Sequence, residues 1–159
     1  MAPSAAQRDA STDPTFRFRD FASGDYEAVR ALWEATLRAS LSAADAPEGV
    51  RRFLERNPGT SVVALHRDTI VGAALAGHDG RRGLLHHLAV ADDFRRRGVG
   101  SRLVSECLER LRSAGIDKCH VLVFDDNAAG HSFWRALGAV ERKELGVYSL
   151  PTEPYSSDA

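Results

Sequence analysis

The chemistry most legible in this chain lies in one run, Arg95-Arg96-Arg97-Gly98-Val99-Gly100-Ser101, set between an apolar stretch and an amphipathic one. The first N–H groups of a helix lack intrahelical acceptors and the macrodipole is positive there, so an anion is stabilised at such a start. Glycines at 98 and 100 carry no Cβ and let a diphosphate approach the backbone. Three consecutive arginines add fixed positive charge at the rim. The alternative is a solvated arginine loop whose glycines only shape the turn; the position between strand and helix favours phosphate. No Gly-Lys-Ser/Thr follows, and the run does not close the first strand of a βαβ repeat, so neither a Walker loop nor a Rossmann fingerprint fits.

Titratable groups lie just upstream and downstream. On a strand, residues 84, 86 and 88 share one face and 85, 87 and 89 the other. His86 and His87 are therefore expected to point to opposite faces, which argues against a shared metal ion. No other His, Cys or Asp set has metal-ligand spacing. An imidazole with an ordinary pKa near 6.5 suits proton uptake around neutrality. Three roles stay open for His86: catalytic base, pocket lining, or structural sheet residue; His87 reads as structural. Asp125-Asp126 favours the start of the helix that follows. Asn127 reads as its N-cap, and His131 as a solvent-facing residue of it.

These residues need a frame. The alternation Phe16-Arg17-Phe18-Arg19 predicts a half-buried strand. Val29, Leu32, Trp33 and Leu37 recur at helical spacing after Asp25, and a second helix runs from Pro47 to Arg56 with Val50, Phe53 and Leu54 on one face. Residues 61–66 and 69–76 read as a hairpin, and residues 84–90 as a third strand after the turn at 77–83. Residues 98–114 form a strong helix burying Val99, Leu103, Val104, Cys107, Leu108 and Leu111. Residues 118–124 read as a central strand, 127–137 as the last helix, and 139–142 and 147–150 as two short closing strands. The expected fold is one α/β domain over residues 15–150: a mixed, mostly antiparallel sheet of six to seven strands flanked by four helices, with a central parallel pair. Residues 1–14 read as a mobile tail without a secretory h-region, and residues 151–159 as a frayed end.

Composition narrows the function classes. The chain has 159 residues, 43% hydrophobic and 27% charged, with a net charge of −1. That excludes disordered, collagen-like and disulfide-scaffold proteins. No apolar run reaches the roughly 18 residues of a membrane span. Only Lys118 and Lys143 of the 21 basic residues are lysines; the charges are dispersed, and no aromatic-basic stripe suggests nucleic acid. Cys107 and Cys119 read as reduced thiols of a cytoplasmic protein.

Taken together, the segments resemble the GNAT superfamily of N-acetyltransferases. Its signature looks like Leu88-Ala89-Val90, then Arg95-x-x-Gly98-x-Gly100, followed by Asn127-x-x-Gly130-x-x-Phe133-Trp134-x-x-Leu137-Gly138. The family usually has Ala at the Gly130 position and Tyr at the Trp134 position. The stretch Gly77-His78-Asp79-Gly80-Arg81-Arg82-Gly83 is similar to a small bacterial subgroup, the YpeA-like proteins. The resemblance implies acetyl-CoA as acetyl donor, no metal, and direct transfer to a primary amine of a small molecule or protein in a ternary complex. It further implies that the backbone of Leu88, Ala89 and Val90 bonds the pantetheine arm. The amides of Arg95, Arg96, Arg97, Gly98, Val99, Gly100 and Ser101 would hold the pyrophosphate. Asn127, Phe133 and Trp134 would approach the cosubstrate from the last helix. The parallel strands ending near Val90 and Phe124 are expected to splay at a bulge.

Two departures bear on the chemistry. Many relatives use the Tyr replaced here by Trp134 to protonate the leaving thiolate, and an indole N–H is not a practical acid near neutral pH. Some carry a glutamate base where this chain has Leu122. His86 lies four residues before Val90, where some relatives have an active-site histidine. Tyr148 would reach the thioester sulfur if the last strand lines the slot; otherwise it is a packing residue. The acceptor pocket of such folds is built by the first two helices. There Asp45 and Glu48 either attract a cationic amine or serve as helix-start acids, and Arg38 offers to hold a carboxylate. The missing Tyr and Glu keep a non-catalytic acyl-CoA-binding or sensing module as the alternative. Pairing into a homodimer through the last strands follows from the family analogy alone.

Overall fold

Strand β1 (Phe16–Asp20) forms as its alternation predicts, with Phe16 buried, Phe18 half-buried and the alternating Arg17 and Arg19 exposed. The computed structural model describes residues 13–37 and 40–153. Arg38 and most of both tails fall outside the described residues; Asp13 accepts from the Phe16 N–H at 3.0 Å and starts the strand. The chain folds as two compact units, Met1–Leu122 and Val123–Ala159.

The first unit is built on a five-stranded sheet in the order β1-β2-β3-β4-β5, with β2 (Val62–His66), β3 (Thr69–His78), β4 (Gly83–Val90) and β5 (Cys119–Val121). All neighbours are antiparallel except β4 and β5. Arg67, at φ +56, turns β2 into β3. The β3–β4 turn is closed by Asp79, whose carboxylate accepts the Arg81 and Arg82 N–H groups at 2.8 Å each.

Helices cover both faces. Helix α1 (Tyr26–Thr36) and α2 (Pro47–Arg56) share one core with the sheet: Val29, Leu32, Trp33 and Val50 pack with Val63, Leu65, Ala73, Leu75 and Ala89. Proline at the first helical position of α2 and Glu48 in its first turn suit a helix start. Helix α3 (Val99–Ser113) covers the other face through Val99, Leu103, Val104, Cys107 and Leu111. It lies so close to β3 that a Cβ on Gly72 would meet Leu103 Cδ1 at 3.0 Å and Val99 Cγ1 at 3.2 Å. Leu108, expected on the buried side, is 44% exposed; at about 100° per residue it falls past the edge of the stripe. Leu103 is fully buried, so Leu103→Ala is expected to cost about 2–5 kcal/mol in urea unfolding.

The sheet departs from expectation at its far end. Among the described residues it has five strands, not six or seven, and the parallel pair lies at its edge rather than its centre. Strand β5 stops after three residues, because Phe124 already turns into the next helix: its carbonyl accepts from the Asn127 N–H at 3.0 Å. Among the described residues of the second unit only α4 (Ala128–Ala136) is regular. Residues 139–142 and 147–150 do not form strands; two short segments without a third strand beside them are marginal.

Candidate active site

A bulge in β4 organises the site. Ala73 pairs with Ala89 and Leu75 with His86, so His87 and Leu88 together oppose the single residue Ala74. His87 takes φ +48, in the left-handed region. The extra residue breaks the expected alternation of faces. His86 stands edge-on to Phe53 of α2 at 5.7 Å, and His87 packs on Trp33 of α1 at 5.0 Å. The two rings are 6.3 Å apart and share the α1–α2 face. The expectation of opposite faces fails for that reason. No group of three His, Cys, Asp or Glu side chains able to hold a metal occurs among the described residues.

Asp45 joins this cluster, which nothing local in the sequence signals. It closes a short 3-10 turn, Ala43–Asp45, and is 5% exposed. Its Oδ1 lies 2.7 Å from His87 Nε2, and its Oδ2 accepts from the Ser42 N–H at 2.8 Å. The helix-start role considered from the sequence holds, because the Asp45 carboxylate accepts from the Ser42 N–H at the start of that short turn, and the same carboxylate also bonds His87. Trp33 is fully buried, and its indole N–H has no partner among the described residues.

Burial holds the His86 ring below its ordinary pKa, the neighbouring His87 adds to the effect, and Asp45 opposes it. His86 is therefore neutral at pH 7 and able to accept a proton. The two cysteines are free and their thiols are pushed up by burial, Cys107 to about 12 and Cys119 to about 11. Native protein at pH 8 is expected to alkylate with iodoacetamide about a hundredfold more slowly than unfolded chain, followed by mass spectrometry.

On the β5 side, β4 is paired only from Gly83 to Leu85. Past Leu85 that edge has no strand against it among the described residues, which leaves backbone groups open to an extended ligand. Leu88 and Val90 are half-exposed, and Ala89 is buried. A 3-10 turn, Asp92–Phe94, follows, and then the arginine run. Arg95 Nε lies 3.1 Å from Asp92 Oδ1, and the Arg97 guanidinium stacks over Phe94 at 5.3 Å. Arg96 takes φ +60 and Gly98 φ +79.

Helix α3 starts directly after Gly98 with no side-chain cap and no acid in its first turn. Val99 buries its side chain, so it offers a ligand only its backbone. The uncapped start of α3, the left-handed residues Arg96 and Gly98 and the arginine side chains beside them fit a diphosphate, while Arg95 is held by Asp92 through both its guanidinium and its backbone N–H.

In the second unit, Asn127 caps α4 as expected, its Oδ1 accepting from the Gly130 N–H at 2.9 Å. Phe133 and Trp134 pack edge to face at 5.1 Å. His131 is not free in solvent: its Nε2 lies 3.0 Å from the Phe124 carbonyl. Tyr148 is 95% exposed and lies outside any strand, so the final strand expected to position it is absent among the described residues.

The model of the Acetyltransferase (GNAT) family matches residues 26–139, well over half the chain. The chain belongs to the GNAT acetyltransferase family. An acetyltransferase of Pectobacterium atrosepticum is 37% identical over 113 residues, 70% of this chain and 78% of that protein. N-alpha-acetyltransferase 30 of Schizosaccharomyces pombe is 30% identical over 105 residues, 63% of this chain and 70% of its own length. Among solved structures, AAC(6')-Iy in complex with the bisubstrate analogue CoA-S-monomethyl-acetylneamine superimposes with a TM-score of 0.71 at 19% identity. It covers 86% of this chain and 98% of its own, a likeness of fold. As a GNAT protein the chain is an N-acetyltransferase with acetyl-CoA as cosubstrate. No helix among the described residues is long and apolar enough to cross a membrane.

Proposed function

We propose that the chain transfers the acetyl group of acetyl-CoA directly to a primary amine, in a ternary complex, with His86 as general base. The observation that carries this reading is the bulged, half-unpaired β4 running into an uncapped, acid-free helix start. When bound, acetyl-CoA supplies a thioester-activated acetyl group. The open edge of Leu88, Ala89 and Val90 binds the extended arm by backbone hydrogen bonds. The amides and guanidinium groups of residues 95–101 hold the diphosphate. Asn127, Phe133 and Trp134 are assigned to the cosubstrate by the family motif they match.

The neutral ring of His86 takes the proton that the attacking amine must lose. The departing thiolate takes its proton from solvent, since no described strand positions Tyr148, the phenol considered from the sequence. The acceptor is a small-molecule or protein amine. The relative named N-alpha-acetyltransferase and the neighbour bound to an acetylneamine analogue support one class each. The site of action is the cytoplasm, in keeping with two free cysteines.

Release of free CoA thiol from acetyl-CoA across a panel of small amines and peptide N-termini, with the acetylated product identified by mass spectrometry, tests the reading. An acetylated amine and a matched equivalent of CoA are expected. Tight acetyl-CoA binding with no thiol released to any amine would leave a binding module instead.

A further inference from the structure

We propose that the buried Asp45–His87 pair is a positioning device, which holds the β4 bulge in the shape that receives the acetyl-CoA arm and ties that bulge to the segment joining α1 and α2. The inference rests on the reading of β4 and the α3 start as the donor site. His87 carries a Cβ at φ +48, a conformation that persists only where the surroundings over-determine it. Here they do. The ring is bonded to Asp45 at 2.7 Å, seated on Trp33 at 5.0 Å and flanked by His86 at 6.3 Å, with 14% of the side chain exposed.

Asp45 is fixed just as firmly. Its carboxylate closes its own turn through the Ser42 N–H, and its backbone carbonyl accepts from the Tyr26 hydroxyl at 2.7 Å and from Arg30 Nη1 at 3.3 Å. One residue thus links the start and middle of α1, the turn ahead of α2, and the bulge.

A buried polar pair is a weak source of stability, often matched by apolar residues of the same size. What it supplies is geometry. A strand that loses its extra residue turns every later side chain to the other face. In β4 that would drive Ala89 out of the core and re-aim the edge formed by Leu88, Ala89 and Val90. The pair is therefore expected to set affinity for the part of the ligand that lies along β4, and not for the part held at the α3 start.

ADP carries the diphosphate without the pantetheine arm, which separates the two. Calorimetric titrations of the full chain with acetyl-CoA and with ADP, on wild type, Asp45→Asn, Asp45→Ala, His87→Asn and His87→Gly, test the proposal. Asp45→Ala and His87→Asn are expected to weaken acetyl-CoA about tenfold and to leave ADP unchanged. Asp45→Asn keeps one acceptor where the ring and the Ser42 N–H need two, and is expected to weaken acetyl-CoA less than Asp45→Ala does. His87→Gly relieves the backbone strain but has no ring, and is expected to behave as His87→Asn.

Folded variants that bind acetyl-CoA as wild type does, or that lose ADP in step with acetyl-CoA, would overturn the proposal. Should Asp45→Ala fail to fold, His87→Asn decides it. A wild type that binds neither ligand removes the donor-site reading itself, a different result from a wild type that binds beside variants that match it.

Discussion

Gly98→Val/Gly100→Val is expected to abolish acetyl-CoA binding in a calorimetric titration where wild type binds at micromolar strength, about −8 kcal/mol. Two effects combine. Gly98 sits at φ +79, where a β-branched residue costs on the order of 1–3 kcal/mol of strain. The added branched side chains also crowd the amides that a diphosphate must reach. ADP binding should be lost with acetyl-CoA binding, because both depend on the same amides. Circular dichroism and a thermal midpoint within a few degrees of wild type separate blocked binding from unfolding. Undiminished binding by the double variant would remove the anion from the start of α3, and the cosubstrate assignments of residues 95–101 with it.

The second large effect is on turnover. His86→Ala is expected to lower kcat by about a hundredfold, the lower end for a positioned general base, with the KM for acetyl-CoA nearly unchanged. The pH profile carries the sharper information. Burial and His87 hold the His86 pKa below 6.5, so wild-type activity should persist below pH 6.5 and fall only when the ring is protonated. The variant should lack that acid limb. Stability follows the same sign: a ring kept neutral in the fold stabilises fully above its ordinary pKa and loses that contribution as pH falls through its lowered one. Thermal midpoints between pH 5 and 8 should therefore fall less steeply for His86→Ala than for wild type. A kcat that is unchanged, with an unchanged pH profile, would reduce His86 to lining the pocket.

The segment proposed to hold the anion was readable because its parts are contiguous. Seven adjacent residues hold the arginines, the glycines and the helix start, and local backbone rules suffice to read them. The helices were equally open to periodicity, apart from Leu108, where a stripe had to be assigned an edge without knowing what it packs against. The bulge was expected near the end of β4, but its register was not. Whether His87 or Leu88 is the extra residue depends on pairing with Ala74, thirteen residues away across a turn. That register decides which way each histidine faces, so the alternation rule failed where the chemistry is densest. Asp45 was visible as an acid but not as a partner, since 42 residues separate it from His87. The last two strands were read from runs of only four residues, which say nothing about whether a neighbour lies beside them to pair with.

The absence of acid from the first turn of α3 has a practical side. Open amides ringed by arginines do not distinguish one compact oxyanion from another by shape alone. Inorganic phosphate and sulfate are therefore expected to compete with acetyl-CoA at the proposed diphosphate site, and added salt of any kind to weaken the attraction over the roughly 8 Å reach of charge at physiological ionic strength. Assays in phosphate buffer are expected to return a higher apparent KM for acetyl-CoA than assays in a zwitterionic buffer of equal ionic strength. Crystals grown from ammonium sulfate would be expected to carry the precipitant where the cosubstrate belongs.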